Sequence, residues 1–84
     1  MKTTMTKAQR RQRDIDALTA RLQDIAAGAC GRWTSELWED TTEEPDNYDR
    51  FTDAAITMFP KGDLTLGFDS FASMAEYLYD AGVR

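Results

Sequence analysis

A single cysteine, Cys30, in a chain of 84 residues is the feature that most limits how this sequence can fold. No intramolecular disulfide can form, so the cross-linked framework of small secreted domains is ruled out and a reducing cytoplasm is the expected setting. A chain of this length buries only about 60 to 65% of the surface its unfolded form exposes, which leaves room for one core. A hydrophobic fraction of 42%, with two Trp, four Phe and three Tyr, supplies that core and argues against a wholly disordered chain. We therefore expect one domain over residues 1–84, with residues 1–6 flexible. The opening residues are positively charged but no apolar run follows them, so neither a signal peptide nor a membrane span is expected.

The clearest periodicity runs from Lys7 to Ala27, after a possible N-cap at Thr6. Ile15, Leu18, Leu22 and Ile25 recur every three or four residues, the signature of one helical stripe, and Gly28 and Gly31 supply stop signals. At the other end Asp69 or Ser70 caps a second amphipathic segment, in which Phe71, Met74, Ala75 and Leu78 form the stripe and Gly82 the C-terminal stop. Between them the pattern favours strands. Trp33 and Leu37 are four apart as in a helix, yet Trp33, Ser35 and Leu37 also alternate, and the Trp residues favour a strand over Arg32–Asp40. Residues 41–50 read as a polar loop around Pro45, Asp46 and Asn47. Ala54–Phe59 and Leu64–Phe68 then flank Pro60, Lys61, Gly62 and Asp63 as a β-hairpin. The expected fold is α+β: a three-stranded antiparallel sheet flanked by an N-terminal and a C-terminal helix, in the order α-β-β-β-α. Met58, Met74, Phe59, Phe68 and Phe71 are expected in its core.

Residue types exclude much chemistry. The chain has no histidine, which removes the usual general base near neutral pH and the commonest zinc ligand. One cysteine cannot ligate zinc or an iron–sulfur cluster, and without an imidazole beside it Cys30 reads as a small half-buried thiol. The five glycines never reach a phosphate-loop spacing. No cofactor and no metal are expected, and the chain is read as a non-enzyme. A small enzyme using Asp and Glu with a metal, which magnesium or manganese would stabilise, remains a further alternative.

Charge is unevenly distributed. Residues 1–21 hold six basic and two acidic side chains, a net of +4, whereas residues 22–84 hold four basic and thirteen acidic, a net of −9. Most of the molecule would repel free nucleic acid, so direct binding to it is not expected. Between positions 36 and 53 stand Glu36, Glu39, Asp40, Glu43, Glu44, Asp46, Asp49 and Asp53, opposed only by Arg50. In an extended chain, residues two apart lie about 6.6 Å from each other, close to two steps of about 3.4 Å along one DNA strand. Such a surface offers carboxylates where a nucleic-acid-binding protein receives phosphates. Trp33, Trp38 and Tyr48 are interleaved with these charges and suit interface anchors. The plainer reading is a solubilising acidic loop.

In length, in the acidic run Glu36 to Asp53, and in the ending GDLTLGFDSFASMAEYLYDAG, the chain resembles the small acidic inhibitors of phages and mobile elements, the anti-CRISPR and DNA-mimicking anti-restriction proteins. The resemblance is one of overall character, without a shared motif, and the basic segment Lys7–Arg21 departs from it. It implies a stoichiometric inhibitor, working in the cytoplasm of a bacterial host, that occupies the basic DNA channel of a CRISPR effector complex. Glu36, Glu39, Asp40, Glu43, Glu44, Asp46 and Asp49 would replace phosphates, with Trp38 and Tyr48 as anchors. The alternative is a structural or regulatory interaction module, antitoxin-like or a phage accessory protein, in which the first helix forms a homo-oligomer or docks on a protein partner.

Overall fold

The computed structural model describes residues 4–64 and 67–83. Among them are four helices and no strand: α1 (Lys7–Cys30), α2 (Leu37–Thr42), α3 (Pro45–Met58) and α4 (Phe71–Asp80). The α-β-β-β-α expectation is overturned, and with it the α+β class. Of the expected strand Arg32–Asp40, residues 32–36 form the turn after α1 and residues 37–40 belong to α2; the polar loop 41–50 holds the end of α2 and the start of α3, and residues 54–58 complete that helix. In the second half of the expected hairpin, Leu64, Gly67 and Phe68 belong to no strand, while residues 65 and 66 lie outside the described residues.

The reasons are local. Pro45 opens α3 at its first turn, where its missing N–H costs nothing, and Asp46 beside it suits the positive end of the helix. Both had read as turn formers. Four threonines bond backward along their helices: the hydroxyls of Thr41, Thr42, Thr52 and Thr57 donate to the carbonyls of Leu37, Trp38, Tyr48 and Asp53, four residues earlier. Leu37 and Thr41 are both buried, as are Phe51 and Ala55, so the spacing of four places each pair on an inward helical stripe. Thr41 is the one buried polar residue among those described, and its hydroxyl is satisfied by the Leu37 carbonyl at 2.7 Å.

The flanking helices form where the periodicity placed them. Thr6 caps α1 in a reciprocal box with Gln9, and Gly31, in the left-handed region at φ 83°, ends it; Gly28 lies within the helix. Ser70 caps α4 through the Ser73 N–H, and Gly82 follows its end at φ 96°. Ile15, Leu18, Leu22 and Ala26 of α1 form the spine of the core. Phe51 and Ala55 of α3, the four apolar residues of the α4 stripe, and Leu37, Phe59, Leu64 and Val83 close around it.

Two sets of contacts fix helix direction. The Arg50 Nε, near the start of α3, donates to the Ala29 carbonyl at 3.1 Å, while Phe59, just past its end, lies under the Arg21 guanidinium. The Arg11 guanidinium near the start of α1 reaches Asp80 at the end of α4 at 3.3 Å. Both α3 and α4 therefore run antiparallel to α1. The first turn of α1 packs against nothing: residues 7–10 are exposed and burial begins at Ile15. The radius of gyration, 13.7 Å, exceeds the value of about 12 Å expected for a compact chain of this length, and the longest extent is 49 Å. Among the described residues no helix is long and apolar enough to cross a membrane.

Candidate acidic docking face

Folding the acidic run into α2 and α3 changes its geometry. The extended spacing of about 6.6 Å does not apply, because the carboxylates stand on helices that rise about 1.5 Å per residue. Glu36, Glu39 and Glu43 are spaced by three and then four residues, and so are Asp46, Asp49 and Asp53. Each set therefore forms one helical stripe, with three carboxylates spread over about 10 Å of axis. All six are exposed, as is Glu44, which precedes α3.

The one positive side chain of the run is drawn away from these stripes. Arg50 bonds through Nε to the Ala29 carbonyl and through Nη2 to the Asn47 Oδ1, which ties it to the C-terminal end of α1. The ion pairs among the described residues join Arg11 to Glu76 and Asp80, and Arg13 to Asp14; none involves a carboxylate between positions 36 and 53. An acidic surface of this kind meets solvent cations, or a basic partner, without first breaking internal pairs.

Two of the expected partner residues serve the fold, and a third is only partly exposed. Asp40 is half-buried: its Oδ2 accepts the Thr34 hydroxyl at 2.6 Å and its carbonyl accepts the Asn47 amide at 3.1 Å, tying the α1–α2 turn to α3. Trp38 is half-buried and meets Phe71 edge to face, with ring centroids 4.9 Å apart, so it closes the core. Tyr48 is half-buried on α3. Trp33, by contrast, is 59% exposed in the turn before α2, beside Glu36. It is the aromatic available to a partner, and its interleaving with the acidic residues was the sequence signal.

A polar cavity of about 340 Å³ opens beside this face, lined by Cys30, Arg32, Asp40, Glu44 and Asn47. The Cys30 sulfur lies 3.3 Å from the Thr41 hydroxyl, which also bonds the Leu37 carbonyl. A hydroxyl with no base behind it does not activate a thiol for nucleophilic work. No three His, Cys, Asp or Glu side chains gather as a metal-binding group among the described residues.

A second surface feature was missed in the sequence. Met58, expected in the core, is 49% exposed, and Ile56 is 40% exposed. Met58 borders a shallow groove between α1 and α3 with Arg21, Asp24 and Ile25. Ile56 follows Asp49 and Asp53 by seven and three residues, so a helical reading of α3 puts it on the acidic outer face. Comparison with known proteins finds no family model, no curated protein and no solved structure that matches the chain.

Proposed function

We propose that the protein is a non-enzymatic inhibitor of anti-CRISPR type, whose α2–α3 face occupies the basic, nucleic-acid-binding channel of a protein complex and keeps target DNA out. The observation that carries this reading is the pair of exposed carboxylate stripes with no internal counter-charge, Arg50 being held against the end of α1. A positive channel would be drawn to this end of the molecule by long-range attraction, which speeds encounter. Trp33, standing out beside the stripes, is suited to fill an apolar recess and slow release. Inhibition would follow mass action, one molecule per channel, without turnover.

The test is a pull-down by the tagged protein from bacterial lysates programmed with CRISPR effector complexes, washed in rising salt. Retention of an effector at low salt and its release at high salt is the expected outcome. The variant with Glu39→Lys, Glu43→Lys and Asp49→Lys should lose the effector, whereas Trp33→Ala should keep the on-rate and dissociate faster. Capture unaffected by the triple reversal would sink the proposal.

The exposed basic start of α1 favours a second reading, a regulatory module that docks through this helix. Such a module would retain its partner in the triple-reversal variant and lose it when Lys7 and Arg10 become Glu.

A further inference from the structure

The polar cavity beside the acidic face lies at the negative pole of the longest helix. Its wall includes Cys30, the last residue of α1, and the last turn of that helix carries no basic side chain of its own. The free carbonyls of such a helix end act as about half a negative charge. Two carboxylates meet the same cavity from different segments, Asp40 from α2 and Glu44 from the junction between α2 and α3. Both keep free acceptors. The Asp40 Oδ2 takes the Thr34 hydroxyl at 2.6 Å, which fixes the carboxylate and leaves Oδ1 without a partner among the described residues. Glu44 is the N-cap residue of α3, where a carboxylate ordinarily accepts from a first-turn N–H, yet its side chain makes no capping bond. No ion pair among the described residues involves it either. Arg32 is the one cation on the wall and is likewise unpaired. The two carboxylates and the helix pole leave the surroundings net negative by about half a charge, even when Arg50, bound to the Ala29 carbonyl, is counted with Arg32.

We propose that this cavity is a socket for one guanidinium group, an arginine side chain presented by the partner protein. An anion would face two carboxylates there, and a neutral ligand would leave both unpaired. A bare metal ion is not suited, because no three His, Cys, Asp or Glu side chains gather as ligands among the described residues. The volume of about 340 Å³ is also far more than an ammonium group fills. A guanidinium carries five N–H donors in a planar fork, so one group can bond Asp40 and Glu44 together although they belong to different segments.

The socket is set before the ligand arrives. Thr34 holds the Asp40 carboxylate, and the Asp40 carbonyl accepts the Asn47 amide at 3.1 Å, which joins two sides of the wall. Less ordering remains to be done on binding. Arg32, on a flexible stem at the rim, is the internal competitor for the same carboxylates. Channels that hold nucleic acid use arginine for bidentate phosphate contacts, so the socket would withdraw one such group from the DNA. The identity of the partner rests on the channel-blocking reading above, whereas the affinity for a guanidinium does not.

The deciding measurement is an NMR titration of the whole, isotope-labelled protein with methylguanidinium chloride at constant ionic strength, with far-UV circular dichroism of each variant as a check on folding. The amide signals of Cys30, Arg32, Asp40, Glu44 and Asn47 should move on one saturating curve, with a dissociation constant on the order of 1–10 mM for so small a ligand. Asp40→Asn, which keeps an acceptor for Thr34, and Glu44→Gln should each weaken binding about threefold, and the double variant should not saturate. Arg32→Gln removes the competitor and should tighten binding by about the same factor. Methylammonium should bind at least about threefold more weakly than methylguanidinium. Shifts that do not saturate, an unchanged response in the double variant, weaker binding in Arg32→Gln, or equal binding of methylammonium would each overturn the socket. In the effector pull-down the double variant should lose the effector at lower salt than the wild-type chain does. Capture that is lost in the triple reversal but unchanged in the double variant would overturn the socket and leave the channel reading standing. Methylguanidinium binding without capture of any effector would do the reverse.

Discussion

At the scale of single residues the two tryptophans divide the labour. Trp38 rests its edge on Phe71 at the boundary of the core, whereas Trp33 is 59% exposed. Removing a fully buried Trp costs about 3–5 kcal/mol, and a half-buried one correspondingly less. Trp38→Ala should therefore lower stability in urea unfolding by about 2 kcal/mol, while Trp33→Ala should stay within about 0.5 kcal/mol of wild type. Equal effects from the two would contradict the packing described. Gly62 makes a second residue-level case: a Cβ built there would stand 2.6 Å from the Leu78 Cδ2 and 3.1 Å from the Tyr77 ring. Leu78 is fully buried and has little room to retreat. Gly62→Ala should cost about 1–3 kcal/mol by overpacking, and Gly67→Ala, whose Cβ meets nothing within 4 Å, should be close to neutral. The requirement at position 62 is for space beside α4, not for the positive φ of a hairpin.

Among the elements, the two helix caps look alike but do different work. Ser70 caps α4, whose entire apolar stripe is buried, so Ser70→Ala should reduce global stability by about 1 kcal/mol. Thr6 caps a helix end that buries nothing before Ile15. Thr6→Ala should leave the unfolding midpoint nearly unchanged and instead speed amide hydrogen exchange over the first turn of α1, because fraying there breaks no tertiary contact. These caps were legible because Thr6 and Ser70 each precede a periodic apolar stripe. The middle helices were not. In α3, Pro45, Asp46 and Asn47 carry the same residue types as a turn, and Ala54 to Phe59 is apolar enough for a strand. Only the inward pairing of Phe51 with Ala55, four apart, marks the period as helical. In α2 the six residues are too few for a period to establish itself, so Leu37 and Thr41 take helical form from what they pack against. The acidic run was legible as a charge feature, but its residues sorted by the helical phase that had not been assigned: Asp40 and Trp38 face the fold, while Glu39 and Glu43 face solvent.

For the molecule as a whole, like charges crowd the α2–α3 face. Pairs such as Glu39 with Glu43, or Asp49 with Asp53, lie one helical turn apart and oppose folding by about 0.2–0.5 kcal/mol each. Screening them should raise stability. Added sodium chloride should therefore increase the melting temperature by several degrees, since about 1 kcal/mol corresponds to about 4–8 °C in a domain of this size. A melting temperature that falls with salt would mean that the Arg11 pairs to Glu76 and Asp80 outweigh the repulsion. What the sequence determined by itself is everything that depends on identity and local spacing: a single core without disulfides, the two flanking helices with their caps, the absence of imidazole chemistry and the separation of charge. What only the tertiary structure decided is the state of the segment between those helices and the exposure of its side chains. Short apolar runs with threonine, proline and aspartate satisfy either backbone, and the choice falls to the apolar stripe of α1, which α3 and α4 cover by packing antiparallel against it. That packing turned Trp38 inward and left Trp33 and Met58 outside.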